Sequence, residues 1–120
     1  ALKRVEGYKT LFLIPVKGDK LLPVSVDMIL FFYIADGNVK AVMTDGKEYL
    51  FTQTLDELAD SLDPALFFRI NRQYLISRKA VQDIDLWFNG RLAINLIVPT
   101  LERILVSKAR VPDFKTWFTS

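Results

Sequence analysis

The apolar residues of this chain come in short runs, and turn residues cut each run before it reaches the length of an ordinary buried helix. That punctuation constrains the fold more than any other feature. Short apolar runs bounded by Gly, Asn, Asp and Pro at fairly regular spacing read as β-strands. Residues 10–16 are apolar, with Pro15 near the end and Lys17-Gly18-Asp19 as the turn that follows. Residues 21–26 contain Pro23, which lacks a ladder donor and restricts the segment to a sheet edge or a strand start. Residues 28–34 are almost wholly apolar and are expected as a central strand buried on both faces. Asp36-Gly37-Asn38 turns the chain into residues 39–44, and Asp45-Gly46 is a two-residue hairpin signal leading to residues 48–52.

The period then changes. Thr54 is a good N-cap with Glu57 three residues on, a capping box. Leu55, Leu58, Ala59 and Leu62 share one helical face, and Asp63-Pro64 stops the helix. Residues 67–77 read as strand, polar turn and strand. Residues 81–88 and 91–98 form a hairpin around Asn89-Gly90, and residues 103–106 make a last short strand. Pro112 suits the first position of a terminal helix over 112–118. Phe31, Phe32, Phe67, Phe68, Trp87 and Phe88 lie in apolar runs and are expected to pack in the core, while Trp117 and Phe118 anchor the terminal helix. The expected fold is all-β or β-rich, with about eight to ten short strands in several small, mostly antiparallel sheets and one or two short helices. A single domain spans 1–120, with residues 1–20 as an N-terminal flank or its first strand.

Composition narrows the chemistry. With 120 residues the chain can bury a core without disulfides or a metal. It has neither Cys nor His, which removes thiol nucleophiles, disulfides, the commonest general base and the commonest metal ligand. The carboxylate pairs Asp56/Glu57 and Asp83/Asp85 have simpler readings: a helix first turn, where the dipole favours acids, and a solvated strand face. Catalysis and cofactors are therefore not expected. No apolar stretch is long enough for a membrane-spanning helix and no signal-peptide core is present, so a cytoplasmic location is expected. A chain that begins at Ala1 is expected to be a piece of a longer protein. Net charge is only +2, but it is unevenly placed: residues 1–65 carry 7 basic and 10 acidic groups, and residues 66–120 carry 9 and 4. Such asymmetry can mark a nucleic-acid face, but on charge alone an ordinary solvated surface is the commoner reading.

The segment Phe67-Phe68-Arg69-Ile70-Asn71-Arg72-Gln73-Tyr74-Leu75-Ile76-Ser77 resembles the hallmark of the LytTR family, the LytR/AlgR-type DNA-binding domains of bacterial response regulators. The capped helix with Thr54, Leu55 and Leu58, ending in Leu62-Asp63, stands where that family places one. Ile104-Leu105-Val106-Ser107-Lys108 is similar to its closing aliphatic-Val-Ser-Arg. The resemblance runs from about Leu21 to Trp117, with all three marks in order. Asn71 stands where His is usual, Gln73 where Ser is common, and Lys108 where Arg is common. Asn keeps a short side chain that donates and accepts but cannot titrate. Lys keeps the charge and loses the bidentate fork.

The resemblance implies a mainly β domain that lays loops, not a recognition helix, into the major groove of double-stranded DNA. Asn38 can bond adenine bidentately, although Asp36-Gly37-Asn38 is also a plain hairpin turn. Arg72 offers a fork to guanine or a phosphate, or a surface ion pair. Lys108 occupies the third base-contacting position. Backbone or supporting contacts are expected from Lys40, Arg69, Asn71, Gln73, Arg78, Lys79, Ser107 and Arg110. Arg69 suits a structural ion pair equally well, and Arg110 offers the fork that Lys108 lacks. The family also implies promoter repeats bound by a homodimer and a receiver domain elsewhere in the protein. A β-rich protein-interaction or ligand-binding module without DNA specificity is the alternative, and it predicts an exposed apolar patch or a pocket.

Overall fold

The computed structural model describes residues 7–120. The expected N-terminal flank is therefore described from Gly7 onward, and residues 1–6 lie outside the described residues. Ten strands form: β1 (Leu11–Val16), β2 (Lys20–Ser25), β3 (Ile29–Ala35), β4 (Asn38–Met43), β5 (Glu48–Phe51), β6 (Phe67–Arg69), β7 (Tyr74–Ser77), β8 (Val81–Leu86), β9 (Leu92–Leu96) and β10 (Ile104–Val106). Two helices join them, α1 (Leu55–Ser61) and α2 (Val111–Phe118).

Every strand pairing is antiparallel, in three sheets ordered β1-β2, β5-β4-β3-β7-β6 and β10-β9-β8. The apolar β3 is the central strand of the five-stranded sheet, as its lack of alternation requires. Pro23 sits in β2, which among the described residues pairs only with β1. Thr54 and Glu57 close the capping box, and α1 buries Leu55 and Leu58.

The central sheet is covered on both faces, and period-two alternation divides its side chains between two cores. Along β4, Val39, Ala41 and Met43 enter one core with Phe12, Val24, Phe32, Phe51 and the α1 leucines. Val42 enters the other, with Phe31, Ile76, Ile94, Val106, Phe114 and Trp117. Trp117 also donates its indole N–H to the Pro64 carbonyl at 2.9 Å, which fixes α2 against the loop before β6.

One core expectation is overturned. Phe88 is 71 % exposed and Trp87 only half-buried. The strands stop at Leu86 and Leu92, and Asn89 and Gly90 take positive φ, so the hairpin tip runs past the packed layer.

Candidate nucleic-acid interface

Three polar loops come together at one end of the sheets. Asp36 and Gly37, at φ 54° and 78°, make the two-residue turn between β3 and β4. Asn38 opens β4 opposite Ala35, exposed, its amide 3.4 Å from the Asp36 carbonyl. The Ile34 N–H donates to the Gln73 carbonyl at 3.0 Å, which brings the loop between β6 and β7 beside this turn. The Asn71 amide donates to the Leu105 carbonyl at 3.0 Å and ties the same loop to β10, just before Ser107 and Lys108.

The central loop is held by its own polar residues. Asn71 Oδ1 accepts from the backbone N–H groups of Gln73 and Tyr74 at 2.8 and 3.1 Å. Arg69 donates from Nε to the Asn71 carbonyl at 2.9 Å and from Nη2 to the Arg72 carbonyl at 2.7 Å, and pairs through Nη1 with Asp56 on α1. Of the two roles open to Arg69, its guanidinium takes the structural one. Ile70, fully buried, plugs the loop from beneath. With the backbone thus satisfied, Arg72 and Gln73 are exposed, and neither side chain makes a hydrogen bond or ion pair among the described residues.

The third loop is a tight turn over Lys108–Arg110, closed by the Arg110 N–H to the Ser107 carbonyl at 2.9 Å. Ser107 and Lys108 are exposed. The aliphatic part of Lys108 lies over Gly90: a β-carbon there would meet Lys108 Cε at 3.5 Å. Arg110, the other candidate for a fork at this loop, packs against the core. Its guanidinium lies 4.8 Å from the Phe68 ring centre, with Nε buried.

The remaining expectations are redistributed. Arg78 is not free for a phosphate. It donates to the Trp117 carbonyl at 2.6 Å and the Ser120 carbonyl at 2.8 Å, at the C-terminal end of α2 where cations are favoured. Arg78 and the exposed Lys79 follow Ser77, so they sit past the far end of β7, with Arg78 roughly 17 Å from Gln73 by strand rise. Lys40 is half-buried in β4, paired with Tyr33 and Leu50. Beside it Tyr33 stacks on Tyr74 at 5.8 Å and donates to Glu48 at 2.8 Å. Burial, then the Glu48 bond, push the Tyr33 hydroxyl up to about 12.

Sequence reasoning missed the tyrosine stack, which joins residues from two strands, and the placement of the Asn89-Gly90 tip beside Lys108. A cavity of about 230 Å³, lined by Val26, Leu66, Phe67, Ser77 and Lys79 among others, lies at the far end from the loops. Among the described residues, no helix is long and apolar enough to cross a membrane, and no cluster of acidic side chains could hold a metal ion.

Comparison with known proteins gives a consistent picture. The family of LytTr DNA-binding domains matches residues 19–119. The chain is similar to the sensory transduction protein LytT of Enterococcus faecalis, 24 % identical over 85 % of this chain and 41 % of that protein. It is also similar to the transcriptional regulatory protein LytR of Staphylococcus aureus (strain MW2), 29 % identical over 64 % of this chain and 30 % of that protein. The chain thus spans less than half the length of these relatives. A solved LytTr DNA-binding domain from Bacillus cereus shares the fold, with a TM-score of 0.77 and 15 % identity over 93 % of this chain and 99 % of that one.

Proposed function

The chain belongs to the LytTR family of DNA-binding domains, and from that premise we propose that it reads double-stranded DNA through loops in the major groove, as the output domain of a bacterial transcriptional regulator. Arg72 forks onto a guanine, Asn38 onto an adenine, and Lys108 bonds a guanine edge as a single charge. Gln73, Ser107 and Lys40 lie nearby to touch the phosphate backbone. Arg69 and Asn71 act from within, by fixing the loop that carries Arg72. The observation that carries this reading is the condition of Arg72: a backbone clamped by Arg69 and Asn71 beneath an exposed guanidinium with no partner among the described residues. Such preorganisation lowers the ordering cost of a specific contact.

The rest follows from family membership and belongs to the same proposal. The whole protein carries a receiver domain, works in the cytoplasm, and binds promoter repeats as a dimer. Selection of bound sequences from random duplex DNA tests the core of it. Enrichment of one motif, with binding that falls steeply as salt rises, is the expected result. No enrichment and salt-insensitive capture of protein partners would favour an interaction module instead.

A further inference from the structure

We propose that the tip of the β8–β9 hairpin is a fourth DNA-contacting element, in which Phe88 packs against thymine methyl groups beside the base reached by Lys108. The proposal rests on the DNA-reading assignment above and adds to it a residue type that reads by apolar contact. Three observations meet at this tip.

The first is exposure. Phe88 is 71 % exposed and its neighbour Leu86 is 86 % exposed. Two large apolar side chains held in water, one at the end of β8 and one in the turn that follows it, mark a contact surface.

The second is position. Val106 pairs with Leu92, and Lys108 lies over Gly90, so the tip stands on the same edge as the third loop. Gly90 has φ 72° and no side chain to hold Lys108 away. The tip is also oriented. Asn89 at φ 59° and ψ 32° and Gly90 form a closed two-residue turn, with the Arg91 N–H donating to the Phe88 carbonyl at 3.2 Å. Trp87 meets Phe88 edge to face at 5.2 Å, and Arg103 stacks on Trp87 at 4.1 Å.

The third is charge. Arg91, Arg103 and Lys108 surround the tip. The acids of β8, Asp83 and Asp85, sit back along the strand, where both accept from Asn95, at 2.6 and 3.0 Å. A cationic rim around an apolar tip complements an anionic partner and repels a second copy of itself. Duplex DNA presents both features at once, phosphates on the ridge and the thymine methyl in the major groove.

The test is Phe88→Ala in the same chain, measured on the duplex that the wild type selects and on that duplex with deoxyuridine in place of single thymines. Burying or losing one methyl-sized contact corresponds to about a fourfold change in affinity. One deoxyuridine should therefore weaken the wild type about fourfold. Phe88→Ala should bind the thymine duplex more weakly by a similar or larger factor and be indifferent to the deoxyuridine. Because Phe88 is exposed, the variant should melt with the wild type, and Phe88→Leu should restore part of the thymine preference. Wild-type affinity in Phe88→Ala, with the deoxyuridine penalty unchanged, overturns the hairpin assignment and leaves the other loops standing. Loss of a wild-type dimer in sedimentation, again with that penalty unchanged, overturns it in favour of a second copy. A wild type that selects no duplex overturns the DNA-reading assignment itself, and this proposal with it.

Discussion

The strand β7 has an arginine near each end, and the two are used in opposite ways. Arg72, two residues before Tyr74, is exposed, and its own carbonyl is already taken by Arg69. Arg78, directly after Ser77, reaches into the structure and donates to the Trp117 carbonyl in the last turn of α2 and to the Ser120 carbonyl just beyond it. The residue type is the same and the sequence separation is small. What differs is the supply of unsatisfied acceptors. A helix C-terminus leaves carbonyls without intrahelical partners and carries the negative end of the dipole, so it draws in a guanidinium. At the other end, Asn71 and Arg69 have satisfied the loop before Arg72 can, and its fork is left facing outward. A basic residue becomes available to a partner when its neighbours have completed the local hydrogen bonding without it.

The contrast is broken most severely at Asn71. Asn71→Ala strips an acceptor from two backbone N–H groups and a donor from the Leu105 carbonyl. A half-buried site of this kind should lose about 2 kcal/mol of stability. The same change frees the central loop from β10, so specific DNA affinity should fall by more than Arg72→Ala alone produces. Urea melts and gel shifts on one preparation check both. A variant that melts like the wild type would show that the loop does not depend on this side chain.

Arg72→Ala isolates the outward side of the comparison. It should cost about 1–3 kcal/mol of specific binding and relax sequence choice at one position. It removes no intramolecular hydrogen bond of its side chain among the described residues, so the melting temperature should not move. Competition against single-base operator variants gives the position. A uniform loss across all variants would make Arg72 a phosphate contact instead.

Arg78→Ala isolates the inward side. It removes two charge-assisted bonds, one to Trp117 in α2 and one to Ser120 just past it, and the contact with the Trp117 ring at 5.6 Å. Stability should drop by about 1–2 kcal/mol, seen as a lower melting temperature, with base preference unchanged below the transition. Altered base preference in a folded Arg78→Ala would mean that α2 transmits its position to Lys108.

Much of the fold was legible because local rules govern it. The unalternated run of β3, Pro23 on its edge hairpin, the Thr54–Glu57 capping box and the Asn89-Gly90 turn each depend on residues a few positions apart. The site was legible only as a set of loops. Which residue serves within a loop and which serves outside it depends on acceptors far along the chain. Asn71 finds its partner 34 residues away, and Arg78 finds its two at 39 and 42. Periodicity carries no record of such pairings. Phe88 misled for a related reason: an apolar run predicts burial only as far as the opposing layer extends.

The smallest effect belongs to Lys79, and it measures how far the interface runs. From the sequence it is expected to meet a phosphate, yet it sits with Arg78 at the end of β7 away from the three loops. If the duplex lies only along the loop end, Lys79→Ala releases no counterion on binding, and both affinity and the slope of log K against log salt stay as in the wild type. Stability should change by no more than about 0.5 kcal/mol, as for most exposed positions. A slope reduced by about one would instead mean that a phosphate passes the far end of the sheet. The duplex would then run along β7 rather than across its tip, and the two ends would belong to one binding face, read at one end and held at the other.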